Sequence, residues 1–212
     1  HEQTITHIRN SSRQLGTSIA ILQDLQGPKL RVGKFSNGSI EVESGDEILL
    51  QLESIAGSKS TKKKIIPYNY TRLSKEIRPE HRILIDDGNI ELIVKKINQD
   101  EILAQVVFGG IIKDHKGMNF PDTKITIESF TPRDREHLLF GLKADVDYVA
   151  LSFVRSAQDI KTVTNFMKSH GKHIPIVAKI EKAEAITNLD DILKITDAVM
   201  VARGDLGVEM GS

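Results

Sequence analysis

The polar residues best suited to chemistry in this chain stand where short apolar runs end. Asp24 follows AILQ, Ser152 lies within LSFV and Arg155 follows it, Lys179 and Glu181 lie in AKIE, and Arg203-Gly204-Asp205 follows VMVA. Lys179 and Glu181 are two apart on an expected strand, so both side chains point to one face. A charge carried alone at the end of an apolar strand is costly, so the pair needs a reason. One reading is a mutual ion pair. The other has Glu181 and Asp205 supplying oxygens to Mg²⁺, with waters and substrate oxygens completing the shell, while Lys179 faces the substrate. Zinc is disfavoured, because there is no Cys and no His pair at ligand spacing. Gly204 lets a phosphate or carboxylate approach a backbone N–H closely, although Arg203-Gly204-Asp205 also reads as a strand-to-helix turn capped by Asp205. Asp86-Asp87-Gly88 reads as a hairpin turn and Lys116 as an exposed loop lysine.

These residues need elements to position them. HEQTITHIRNSSRQLG reads as a helix, with Ile5, Ile8 and Leu15 at helical spacing and Gly16 as its stop. A strand is expected over 18–23. From Gly33 to Pro121 short apolar or alternating runs (Ile40 and Val42, Ile48 to Leu50, Ile83 to Ile85, Ile90 to Val94, Ile102 to Val107) are separated by turn residues. That spacing suggests a small antiparallel barrel or sandwich, with Lys62-Lys63-Lys64 as a solvated loop. Beyond it, helices are expected over 131–143, 157–169 and 183–195. They alternate with the strands DYVALSFV, PIVAKIE and AVMVARGD. Val149 to Leu151 and Ala198 to Val201 are wholly apolar, which indicates burial on both faces, as in a parallel sheet. The pattern is α/β with an all-β insertion; an open sheet and a closed barrel both satisfy it. No Gly-rich phosphate loop follows any strand, which disfavours a Rossmann domain.

The chain has 212 residues, with 29 Lys+Arg against 29 Asp+Glu. That balance disfavours a nucleic-acid partner. With 39% hydrophobic and 27% charged residues, there is enough apolar material for a core and too much for a disordered chain. The lack of cysteine removes disulfides and thiol nucleophiles. No apolar run approaches the roughly 18 residues of a membrane span. The start at His1 and the end at Gly211-Ser212 raise the expectation of a fragment.

Six segments, in this order, resemble the pyruvate kinase family: QDLQGPKLRVG (Gln23 to Gly33), IDDG (Ile85 to Gly88), HKGMNFP (His115 to Pro121), LSFVR (Leu151 to Arg155), IVAKIEKAEAI (Ile176 to Ile186) and VMVARGDLGVE (Val199 to Glu209). The resemblance implies a partial TIM (β/α)8 barrel interrupted by an all-β inserted lid domain. Residues 1–33 and 123–212 would be barrel and 34–122 the lid. It further implies Mg²⁺-dependent phosphoryl transfer from phosphoenolpyruvate to ADP, giving pyruvate and ATP. By motif, Lys179 resembles the lysine that stabilises the transition state, and Glu181 and Asp205 the Mg²⁺ ligands. Gly204 and Asp205 resemble contacts to phosphoenolpyruvate or pyruvate. Arg31, Lys116 and, on the lid side, Asp87 resemble nucleotide contacts.

Asp24 matches an acidic residue at a monovalent-cation site, and Leu25 stands where other members have Thr. Lys29 stands where members requiring K⁺ carry Glu, so the resemblance implies that Lys29 replaces the potassium ion. It also implies a cytoplasmic protein, homotetrameric at full length, without nucleic-acid or membrane partners. Segments expected before His1 and after Ser212 include a phosphate-gripping arginine and a substrate-contacting threonine, so these 212 residues alone are expected to be inactive. Two rival readings are a Mg²⁺-dependent lyase or aldolase on a related barrel and a non-catalytic binding domain of the same fold. GPKLR and the insertion argue against the first; Lys179, Glu181, Asp205 and Arg31 together argue against the second.

Overall fold

The computed structural model of the protein describes residues 1–54 and 63–210; Lys62 and Gly211-Ser212 lie outside them. Two compact units emerge, residues 1–28 with 127–206 and residues 29–126 with 207–212.

Helix α1 (Glu2–Leu15) ends where Gly16 turns left-handed at φ 60, its N–H returning to the Arg13 carbonyl. The next strand, β1 (Leu22–Leu25), starts later than the sequence suggests. Just before it the Asp147 carboxylate accepts the Ile21 N–H at 2.6 Å and pairs with Arg9 at 2.8 Å, while the Ile21 carbonyl accepts the backbone N–H groups of Asp147 and Tyr148.

The β-unit contains β2 (Ser39–Val42), β3 (Glu47–Leu52), β4 (Lys64–Tyr68), a short helix α2 (Leu73–Glu76), β5 (Arg82–Ile85), β6 (Ile90–Asn98), β7 (Glu101–Phe108), β8 (Gly110–Lys113) and β9 (Met118–Asn119). Among the described residues β2 pairs with β8, and the others form one sheet in the order β4-β3-β7-β6-β5-β9. Alternation sets its inner face: Ile90, Leu92 and Val94 of β6 and Ile102, Ala104 and Val106 of β7 are buried. Two expectations need correction. The sheet is not wholly antiparallel, since β4 runs parallel to β3. Lys64 is not in a loop but opens β4; Lys63, in the bend before it, pairs with Glu47 and Lys64 with Asp46 at the surface. Pro67 disguised this strand, since proline suits only an edge, which is the place β4 takes in the sheet.

The other unit continues with α3 (Pro132–Lys143), β10 (Tyr148–Leu151), α4 (Ala157–Ser169), β11 (Ile176–Ile180), α5 (Ala183–Thr187), α6 (Leu189–Leu193), β12 (Ala198–Val201) and α7 (Arg203–Met210). Thr131 with Asp134, and Ser156 with Asp159, form capping boxes that fix where α3 and α4 begin. The strands form a parallel sheet, β1-β10-β11-β12, around a core that includes Leu25, Leu138, Leu151, Val163, Met167 and Ile180. Parallel strands alternating with helices make this a partial (β/α)8 barrel. The helix expected over 183–195 is broken at Asn188, which leaves the helical conformation and donates its side-chain N–H to the Arg155 carbonyl at 2.9 Å. β12 also departs from expectation. Among the described residues it pairs only with β11, and Val201 is 58% exposed, whereas Val149 to Leu151 are fully buried.

In the β-unit, Arg82 grips Asp122 through Nε at 3.0 Å, Nη2 at 2.9 Å and its backbone N–H at 2.9 Å. The Arg82 hydrogen bond holds the Asp122 carboxyl below its ordinary 3.8, so this stabilisation is complete above that value and is lost as pH falls through the lower folded one. Asp122→Asn is expected to reduce stability at neutral pH by roughly 1 kcal/mol, the upper end for a part-exposed pair. Chemical denaturation at several pH values should show that difference closing in acid.

Candidate functional site

Parallel register brings the strand ends of the barrel unit together. Leu151 of β10 lies beside Ala178 of β11, and Ile180 of β11 beside Val201 of β12. Ser152, Glu181 and the turn into α7 therefore follow neighbouring strands at one edge of the sheet, and Asp24 reaches the same edge from β1. Strand ends are where parallel α/β sheets bind ligands.

Lys179 is the hub. Its Nζ lies 3.0 Å from Glu181 Oε1, 3.2 Å from each Asp24 oxygen and 2.9 Å from Ser152 Oγ. The mutual ion pair is present, and Asp24 adds a second carboxylate to it. Only 2% of the Glu181 side chain is exposed, against 53% for Asp24. Burial pulls the Lys179 ammonium down, but the hydrogen bond and charge of Glu181, helped by Asp24, outweigh it and leave the pKa raised. Ser152, one of the strand-end polar residues of the sequence, is 2% exposed and both accepts from Lys179 and donates to Asp24 at 3.3 Å.

Glu181 Oε2 accepts the Phe153 backbone N–H at 2.7 Å. Nothing in a residue-type pattern reveals a main-chain donor, and this one escaped sequence reasoning. Gly27 escaped it too. At φ 65, with a Cβ there falling 2.8 Å from the Phe153 ring and 3.2 Å from Ser152 Cβ, the position admits only glycine without a shift.

Asp205 lies in the first turn of α7, two residues after Arg203 opens it. Among the described residues no group of three His, Asp or Glu gathers to cage a metal. The carboxylate oxygens of Glu181, after β11, and Asp205, in α7, are of the type that suits a hard cation retaining waters, such as Mg²⁺. A Cβ on Gly204 would meet nothing within 4 Å, so the space beside its Cα is open. Leu25 offers only its main chain, its side chain being wholly buried in the core.

Within the β-unit, the loop at His115 to Gly117 collects the basic residues. Arg31 Nη1 donates to the His115 carbonyl at 2.9 Å, and the Lys29 stem passes over Gly117, where a Cβ would lie 3.1 Å from Lys29 Cε. Lys116 Nζ pairs with Asp86 Oδ1 at 2.7 Å. Asp86 is the residue holding Lys116, and the Lys116 hydrogen bond keeps the Asp86 carboxyl low. Asp86, Asp87 and Gly88 are all left-handed, at φ 56, 55 and 87, and turn β5 into β6. Among the described residues no helix is long and apolar enough to cross a membrane.

Fold and site thus define a partial (β/α)8 barrel with a lysine–carboxylate cluster at its strand ends. Over residues 1–212 the chain matches the family described as "Pyruvate kinase, barrel domain". It is 42% identical over 214 residues to pyruvate kinase 2 of Synechocystis, 41% over 211 to the pyruvate kinase of Clostridium perfringens and 38% over 210 to that of Corynebacterium glutamicum. Each match covers 99% of this chain but only 36%, 44% and 43% of the respective relative. The chain belongs to the pyruvate kinase family.

The Lys179 cluster makes a titration prediction. A raised lysine pKa contributes stability that is complete below the ordinary 10.5 and is lost as pH rises through the folded value. Asp24→Asn removes one of the charges opposing burial, so Lys179 should release its proton at lower pH than in the unsubstituted protein. Lysine ¹³Cε NMR across the alkaline range reads this directly; an unchanged titration would rule out a charge contribution from Asp24.

Proposed function

We propose that the protein carrying this chain is a pyruvate kinase, transferring a phosphoryl group from phosphoenolpyruvate to ADP to give pyruvate and ATP as the last step of glycolysis. The observation that carries the reading is the Lys179 ammonium held by Glu181, Asp24 and Ser152 at the strand ends. Phosphoryl transfer between two anions demands little covalent chemistry of a protein and much positioning and positive charge. In this reading Lys179 neutralises charge on the bridging region as the bond to the enol oxygen lengthens, and on the enolate that remains. Glu181 and Asp205 would hold Mg²⁺, whose contribution when bound is neutralisation of the substrate's carboxylate and phosphoryl oxygens. Gly204 and Asp205 contact phosphoenolpyruvate or pyruvate, the former through its backbone.

Arg31 and Lys116 receive the nucleotide phosphates, with Asp87 on the same lid side. Residues 34–122 serve as the inserted lid and 1–33 with 123–212 as barrel; closure of the lid excludes water, so transfer outruns hydrolysis. Asp24 and Leu25 mark the monovalent-cation position, where Lys29 takes the place of K⁺. The full-length enzyme is proposed to be a cytoplasmic homotetramer without nucleic-acid or membrane partners.

Two measurements on the full-length enzyme test this. Lys179→Met should lower kcat by about a thousandfold or more while shifting the half-saturating Mg²⁺ concentration far less, because the lysine acts on charge that develops in the transition state. Equal losses in the two would contradict the assigned role. The unsubstituted enzyme should turn over in K⁺-free tetramethylammonium buffer, and Lys29→Glu should make it K⁺-dependent. An enzyme silent without potassium would refute the replacement of K⁺ by Lys29 and leave the kinase reading standing.

A further inference from the structure

Glu181 has its two oxygens committed differently, Oε1 to the Lys179 ammonium at 3.0 Å and Oε2 to the Phe153 N–H at 2.7 Å. The second partner is an unusual one. Phe153 stands at φ 55, a left-handed conformation that bulky residues rarely hold unless their surroundings enforce it. Here the enforcement is visible on both sides. The Phe153 carbonyl accepts the Ser129 hydroxyl at 2.9 Å, and Ser129 is 1% exposed. The Phe153 ring fills the space left open by the missing side chain of Gly27. Pinning the carbonyl fixes the peptide units around Phe153, and with them the place and direction of the amide that Glu181 receives.

We infer that Ser129 is a positioning residue for Glu181, acting through the left-handed backbone of Phe153, so that one carboxylate oxygen is tied down and the other is presented to Lys179 and a divalent cation. This rests on the reading of Glu181 as a metal ligand. A group that orients a ligating carboxylate contributes to affinity without touching the metal. A serine present only to satisfy a buried carbonyl would contribute to stability and leave the metal site unaffected.

The test compares the full-length enzyme with its Ser129→Ala and Ser129→Thr variants, using Mn²⁺ alone as the probe, titrated by electron paramagnetic resonance. Amide hydrogen exchange at Phe153 is followed in parallel without metal. Ser129→Ala should weaken Mn²⁺ binding roughly tenfold and speed Phe153 exchange by a similar factor, and Ser129→Thr, which keeps the hydroxyl, should restore both. Faster exchange with unchanged Mn²⁺ affinity overturns the inference and leaves Glu181 a ligand, whereas an unsubstituted enzyme that binds no Mn²⁺ overturns the ligand reading and the inference together. If Ser129→Ala does not fold, Ser129→Cys, nearly isosteric but a poorer donor, supports the inference by weaker Mn²⁺ binding and overturns it by unchanged binding.

Discussion

A carboxylate that is 2% exposed cannot stand at the end of an apolar strand without a cation beside it, and the site follows from that constraint. Lys179 supplies the cation from the same strand face, two residues earlier. Its own partial burial would push it toward neutrality, so it in turn needs Glu181 and Asp24. Each group keeps the other charged. The remaining oxygen of Glu181 needs a donor as well, and the backbone turns left-handed at Phe153 where that donor is given. Ser129, Gly27 and Ser152 answer needs created by this pair.

The parallel sheet converts the requirement into a shared edge. Because β1, β10, β11 and β12 run the same way in tight register, residues separated by long stretches of chain meet at their strand ends. The loops leaving those strands are tied to one another: Asn188 bonds the Arg155 carbonyl, and the Arg155 guanidinium bonds the Ile127 carbonyl at 2.5 Å. In the β-unit, side chains do comparable work at the loop around Lys116, where Arg31 and Asp86 hold the backbone and the ammonium respectively.

The sequence was informative wherever periodicity and caps act locally. Helices α3 and α4 begin at Thr131 and Ser156 because hydroxyl and carboxylate spacing alone marks a capping box. The clustering of Asp24, Lys179 and Glu181 was legible because a parallel sheet brings strand ends together whatever the exact element limits. Long-range competition was not legible. Asp147 receives the Ile21 N–H from the far side of 126 residues, and Asn188, where the helix breaks, bonds a loop that its local sequence does not announce. Main-chain geometry was invisible as well, since no residue type declares that Phe153 will be left-handed. Nor does the sequence say which of the chemically identical neighbours Asp86 and Asp87 pairs with Lys116, since only the turn decides it.

The pairing of β1 with β10 carries a consequence for the order in which the chain assembles. Ile21 and Asp147 are 126 residues apart, and nearly all of the β-unit lies in the stretch between them. Closing so long a loop in a disordered chain is entropically unfavourable, and contacts of high sequence separation form late. The intervening β-unit draws on mostly nearer partners, such as the hairpins β5–β6 and β6–β7, so it can condense while β1 still waits for β10. Once condensed, it replaces a floppy tether by a structured one and shortens the effective search. During synthesis β1 emerges long before its partner, which leaves its hydrogen-bonding edge open until β10 has been made.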